Sequence, residues 1–159
     1  MTDALDALDR RLILALSTNA RASGAQLAAE LGVAESTVSN RLRKLASSNV
    51  ISGSHAEVNL AELGIPLQAL IAVRLVRHAR ADIDAFRTEA PTWPGVVSLL
   101  HMAGSDDYLL HVAARDSHEL RDFVLTYLTG HPAVSHTETN LIFEHVRATG
   151  WHQIVEPGE

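Results

Sequence analysis

Residues 23–45 read SGAQLAAELGVAESTVSNRLRKL, and the way that stretch divides decides the first third of the chain. Ser23 with Gln26 three positions later has the pattern of a capping box, in which each side chain satisfies a backbone donor of the first helical turn. A helix is therefore expected over Ala25–Leu31. Gly32 ends it, because glycine takes the positive φ that a tight turn between two helices needs, and Ala28 and Ala29 are small enough for a second helix to approach. In that second helix Val38, Leu42 and Leu45 recur at i, i+4 and i+7, an apolar stripe for a core. With about 100° of rotation per residue, Ser36, Asn40, Arg43 and Ser47 point the other way, flanked by Thr37, Ser39 and Lys44. Hydroxyl and amide groups near the helix start, followed by cations one turn on, suit base edges first and phosphates second. An ordinary solvated helix has a similar polar arc; the glycine turn, the small alanines and a third helix alongside favour a DNA reader. Ala34 stands where a capping Ser is expected, at a cost of about 1 kcal/mol.

On the N-terminal side, Leu5, Leu8, Leu12, Ala15 and Leu16 repeat at helical spacing, so Ala4–Ser17 is expected as a helix covering the pair. Three helices in fewer than about 60 residues make a marginal core, which implies support from a partner or a second domain. After the reading helix, Asn49 takes the place of a left-handed C-cap. Ile51–Val58 reads as a strand, and Asn59–Pro66 as a hinge.

From Leu67 the periodicity changes to strand, helix, strand, strand, helix, strand. Leu67–Arg77 is strand-like; Ala81–Ala90 carries Ile83, Phe86 and Ala90 at helical spacing and is stopped by Pro91 and Pro94. Val96–Ala103 and Tyr108–Ala114 flank a Gly104-Ser105-Asp106-Asp107 turn, Asp116 with Glu119 caps a helix bearing Leu120, Phe123, Val124, Tyr127 and Leu128, and Val134–His145 is the last strand. The order is that of a split βαβ, so the expected class is α+β: an N-terminal helix-turn-helix (winged-helix-like) domain followed by a ferredoxin-like βαββαβ domain. Right-handed crossovers put both helices on one face of the sheet and leave the other bare. The first strand is nonetheless apolar on both sides, with Ala69, Ile71 and Val73 against Leu70 and Ala72. An uncovered apolar face is an association surface, which predicts a homodimer whose two reading helices suit a roughly palindromic site.

Composition narrows the function classes. The 159 residues are 47% hydrophobic and 20% charged, ordinary for a globular protein, and the absence of cysteine excludes disulfides, thiolate metal sites and cysteine nucleophiles. MTDALDALDRR has no apolar run of the kind a signal peptide needs, and Leu67–Val76 is broken by Gln68 and Arg74 and too short to span a bilayer, so a soluble, cytoplasmic protein is expected. A net charge of −6 disfavours nucleic acid when taken whole, but it is unevenly spread. Residues 1–50 carry a net +1, with Arg10, Arg11, Arg21, Arg41, Arg43 and Lys44 against five acids, and the remainder carries −7. An acidic second domain repels DNA and leaves the first as the docking face, with affinity that leans on assembly.

The helix-turn-helix, the segment NVISGSHAEVNLAELG at 49–64, the βαββαβ order and the turn GSDDYLL at 104–110 together resemble the Lrp/AsnC family, the feast/famine transcription regulators. The resemblance spans nearly the whole chain and implies a helix-turn-helix domain over 1–50, a linker strand and hinge over 51–65, and a ligand-binding and oligomerisation domain over 66–159. It implies a cytoplasmic DNA-binding regulator, dimeric and often octameric, whose C-terminal domain binds an amino acid between dimers. Carried over by position, the effector site would involve His101, Met102, Ala103, Gly104, Asp107 and Tyr108, with Thr137, Thr139 and Asn140 on the last strand. Gly104 would let backbone donors approach a carboxylate, Asp107 would hold an ammonium group and the threonine hydroxyls would complete the cradle. Simple turn-making by Gly104 and Asp107, and strand preference for the threonines, is the competing explanation. The chain departs from the family at Asn49, commonly Gly, and Ala34, commonly Ser.

Two other readings fit the residues less well. An enzyme would draw on His101, His111, His136 and His145, but alternation puts His101 and His111 on opposite faces, and the chain has no H-E-x-x-H, nucleophile elbow or phosphate loop; neither a cofactor nor a metal is expected. A DNA-binding regulator acting by assembly alone, with no effector, is the other.

Overall fold

The computed structural model describes residues 5–76, 80–146, 148 and 150–155, the side chains at 80 and 82 excepted. Ala4 and Arg77, ends of two expected elements, lie outside them. Contacts divide the chain into two compact units, a head of residues 1–57 together with 146–159 and a body of 58–145.

The head holds α1 (Ala7–Thr18), α2 (Gly24–Leu31) and α3 (Glu35–Ser47), with a short α6 (His152–Val155). Each begins and ends for a local reason. At α1 Asp6 accepts from the Asp9 amide at 2.9 Å while the Asp9 side chain receives the Asp6 amide at 3.4 Å. At α2 the Ser23 and Gln26 box forms with 3.2 and 2.8 Å bonds, and Gly32 leaves the helix at φ 70°. At α3 Ala34 offers no side-chain cap, and Glu35 puts a negative charge in the first turn, where the exposed amides favour it. The other end of α3 closes through Asn49 at φ 58°, with the Val50 amide on the Leu45 carbonyl and the Asn49 amide on that of Ala46, the two bonds of a Schellman motif. Leu12, Leu27, Ala28, Leu31, Val38 and Leu45 form the core.

Two boundaries differ from the sequence reading. Residues 51–58 form no strand: the Ile51 amide is drawn back to the Leu45 carbonyl at 3.1 Å, and the segment joins no sheet ladder among the described residues. A strand needs a ladder partner, which local propensity cannot supply. The tail joins the head rather than the body, as Arg10 donates to the Val155 carbonyl at 3.2 Å and Ser17 hydroxyl meets His152 at 3.0 Å.

The body holds β1 (Leu67–Leu75), α4 (Arg80–Glu89), β2 (Val96–His101), β3 (Tyr108–Ala114), α5 (Ser117–Phe123) and β4 (Val134–Ile142). The strands form one antiparallel sheet in the order β2-β3-β1-β4, the ferredoxin-like arrangement. Asp116 starts α5 by accepting the His118 and Glu119 amides, and beyond Phe123 the helix widens into a π-helical turn over Val124–Thr129. β4 stops three residues short of the expected His145 because its partner runs out: Gln68 pairs with Ile142, and just before Leu67 stands Pro66, which has no N–H to donate. At the start of β2, Gly95 adopts φ 89° and lies so close to β3 that an added Cβ would sit 2.8 Å from the Ala113 carbonyl oxygen.

The core lies on one side of this sheet. Ala69, Ile71, Val73 and Leu75 of β1 and Tyr108, Leu110, Val112 and Ala114 of β3 face Phe86 of α4 and Leu120 and Phe123 of α5. Both helices therefore cover the same face. The opposite face presents Leu70 and Ala72, half-buried, beside Leu109, Ala113 and the 47%-exposed Leu100.

Candidate nucleic-acid interface and effector loop

Within α3 the two arcs separate as the spacing requires. Val38 and Leu45 are fully buried and Leu42 half-buried, whereas Ser36, Ser39, Asn40, Arg43 and Lys44 are exposed and Thr37 is intermediate. Arg43 Nη1 donates to Asn40 Oδ1 at 3.0 Å, and both side chains are exposed.

Arg41 is the residue of α3 that pattern reading passed over. It lies three residues after Val38 and four before Leu45, on the core side of the helix, where a cation needs a partner; that position was the available signal. Its Nη1 reaches Asp6 Oδ2 at 2.5 Å and both oxygens of Asp9 at 3.2 and 3.3 Å. The Asp9 amide bond and this guanidinium together hold the Asp6 carboxyl below its usual range, and the same pairing raises Arg41.

In the body the loop between β2 and β3 is pinned to the end of β1. The Met102 amide donates to the Asp107 carbonyl at 2.8 Å, the Asp107 amide to the Val73 carbonyl at 3.0 Å, and Asp107 Oδ2 accepts the Leu75 amide at 2.7 Å. Arg74 joins the same loop, with Nε on the Ser105 carbonyl at 2.8 Å and Nη2 on Asp106 Oδ1 at 3.2 Å. As the sole charge in LQALIAVRL, Arg74 was legible as an oddity whose partner only the fold reveals. Gly104 stands at φ 147° with open space around it, so glycine serves the backbone conformation there, not packing.

The nine expected effector residues do not converge. Met102, Ala103 and Gly104 are exposed on the loop, with Asp107 beside them. Tyr108 points into the core, 1% exposed, its ring 5.3 Å from Phe86 and 4.8 Å from the stacked His101. Its hydroxyl has no hydrogen-bond partner among the described residues, and burial pushes its pKa up. Thr137 and Thr139 lie opposite Val73 and Ile71 on the helix-covered side, and Asn140 lies opposite Leu70 on the other. His101 and His111 also take opposite faces; His111 bonds Gln68 at 2.8 Å, and burial lowers its pKa, helped by His145. Among the described residues no cluster of three or more metal-ligating side chains occurs, and no helix is long and apolar enough to cross a membrane.

Comparison with known proteins gives this geometry its context. Residues 5–46 match the AsnC-type helix-turn-helix domain, and residues 68–151 match the Lrp/AsnC ligand binding domain. The chain belongs to the Lrp/AsnC family. It is a DNA-binding transcriptional regulator with a ligand-binding domain. Its relatives include the transcriptional regulator AldR of Mycolicibacterium smegmatis, 43% identical over 90% of this chain and 84% of that protein, and AldR of Mycobacterium tuberculosis, 41% identical over 90% and 80%. The leucine-responsive regulatory protein of Rhizobium meliloti is 31% identical over 90% of this chain and 92% of its own length. A crystal structure of a Neisseria meningitidis transcriptional regulator in complex with L-Met superposes with a TM-score of 0.84 at 25% identity, covering 92% of this chain and 94% of that one. The relatives of this Lrp/AsnC regulator are themselves transcriptional regulators, so α3 and the loop after β2 stand as its candidate DNA-reading and effector elements.

Proposed function

We propose that this regulator acts in the cytoplasm as a homodimer that reads double-stranded DNA through α3, and that an amino acid bound near the loop after β2 changes its assembly and so its DNA occupancy. Ser36, Thr37, Ser39 and Asn40 take base edges, while Arg43 and Lys44 take phosphates. The observation that carries this reading is the division of α3 into a buried Val38–Leu45 stripe and an exposed polar arc. Dimerisation through the uncovered sheet face, around Leu70, Ala72, Leu109 and Leu100, would put two such helices on one two-fold site, and further association to an octamer extends the same logic.

Support for an effector site comes from Gly104, whose surroundings are open, and from Asp107, whose second carboxylate oxygen has no hydrogen bond among the described residues. His101, Met102 and Ala103 are exposed along the loop, and Tyr108 backs it from the core side. Thr137 and Thr139 on β4 are two strand spacings from β3, about 10 Å, and Asn140 faces away. One amino acid cannot span that set within a single subunit, so the cradle is completed by another copy. The L-Met complex of the Neisseria meningitidis regulator and the leucine-responsive Rhizobium meliloti relative favour an amino acid with an apolar side chain. Neither a cofactor, a metal nor catalysis has a part in this reading.

The use of Asp107 Oδ2 to brace Leu75 favours a second reading, a regulator that acts by assembly alone. An electrophoretic shift series on the protein's own upstream DNA, with a panel of amino acids, separates the two. At least one amino acid is expected to change affinity or assembly, and Asp107→Ala to abolish that response while sparing DNA binding; a panel without effect overturns the effector role.

A further inference from the structure

We propose that Arg41 is a positioning residue for DNA reading: clamped between Asp6 and Asp9, it fixes the orientation of α3 against the start of α1 and does not itself meet phosphate. Asp9 is a buried carboxylate, 3% exposed, and its charge is acceptable there because a guanidinium lies against both of its oxygens. The two acids do two jobs at once. Their mutual capping bonds start α1, and their remaining oxygens accept from the middle of α3. A bond network that joins a helix terminus to a neighbouring helix midpoint constrains rotation and slide of the reading helix, which apolar Val38 and Leu45 contacts alone leave loosely specified. The consequence is a division of labour two residues apart: Arg41 turns inward to carboxylates, and the exposed Arg43 donates to Asn40.

The test uses the full chain, a duplex selected from a randomised pool, and an unrelated duplex as the non-specific probe, with affinity followed across salt. Arg43→Gln is expected to reduce the salt slope by about one phosphate. Arg41→Gln is expected to keep the parent slope on both duplexes while the preference for the selected duplex falls about tenfold, since misplaced base contacts lose discrimination and not charge. Arg41→Lys, which restores the charge on a shorter reach, recovers part of that preference. A residue that only stabilised the fold would leave the preference of the folded protein unchanged. Asp6→Asn keeps the buried Asp9 pair, so it provides a folded variant if Arg41→Gln fails to fold; its preference falls less and its slope does not drop. A slope lowered in Arg41→Gln, or parental preference in whichever of the two folds, overturns the positioning role. An unchanged slope in Arg43→Gln instead overturns α3 as the element on the phosphates, and the role given to Arg41 with it.

Discussion

Residues 1–57 contain no Phe, Trp or Tyr, and the head closes over small aliphatic side chains, whereas the body packs Phe86 against Trp93 edge-on at 5.5 Å and stacks Trp93 on Tyr127 at 5.2 Å. The head compensates at its edges, with two capping boxes, a Schellman closure and the Arg41 clamp. The body relies on area, since each aromatic ring removes far more surface from water than a Leu or Val. The lesson is that the two units of one chain respond to different perturbations. The body is sensitive to lost volume, and the head to lost polar bonds at its helix ends.

Deleting a core side chain tests the contrast most strongly. Phe86→Ala should cost the body about 3–5 kcal/mol, read from the denaturant midpoint of the near-ultraviolet signal of the buried Trp93. Leu12→Ala should cost about 2–5 kcal/mol and is expected to raise amide exchange throughout α1–α3 while α5 stays protected. Exchange that rises equally in both would remove the distinction.

A smaller effect sharpens the claim about edges. Ala34→Ser supplies the missing cap of α3 and should add about 1 kcal/mol to the head, measured as slower exchange of the first-turn amides of α3. The same substitution leaves the body midpoint where it was.

Acid gives the smallest effect and a sign. His111 titrates lower folded than unfolded because burial disfavours its charged form, so the folded body binds fewer protons and loses stability as pH falls through about 6.5. The urea midpoint of the body should fall between pH 7 and pH 5, and His111→Gln should flatten that fall. Asp6 acts in the same direction in the head, but lower: its carboxyl is held below 3.8, so its contribution is present above that value and lost as pH drops beneath it.

How much of this was legible follows from the range of each interaction. The Ser23 and Gln26 box, the turn at Gly32, the left-handed Asn49 and the Tyr108–Ala114 strand all formed as read, because each rests on residues within a few positions of one another. The strand expected at 51–58 did not form, since its propensity was local but its hydrogen bonds required a distant partner. Arg41 looked like one more cation on a polar helix until Asp6 and Asp9, more than thirty positions earlier, came beside it. Tyr108, grouped by motif with its loop, turned instead into the aromatic core.

Amphipathic periodicity, caps and turn residues were enough to specify three helices and a βαββαβ order, because those signals act within one or two turns of chain. Which carboxylates hold Arg41, which backbone amide occupies Asp107, and which sheet face carries Thr139 and which Asn140 were settled only by folding. Those relations join residues far apart in sequence, and a distance of a few ångströms between them exists only once the chain has packed.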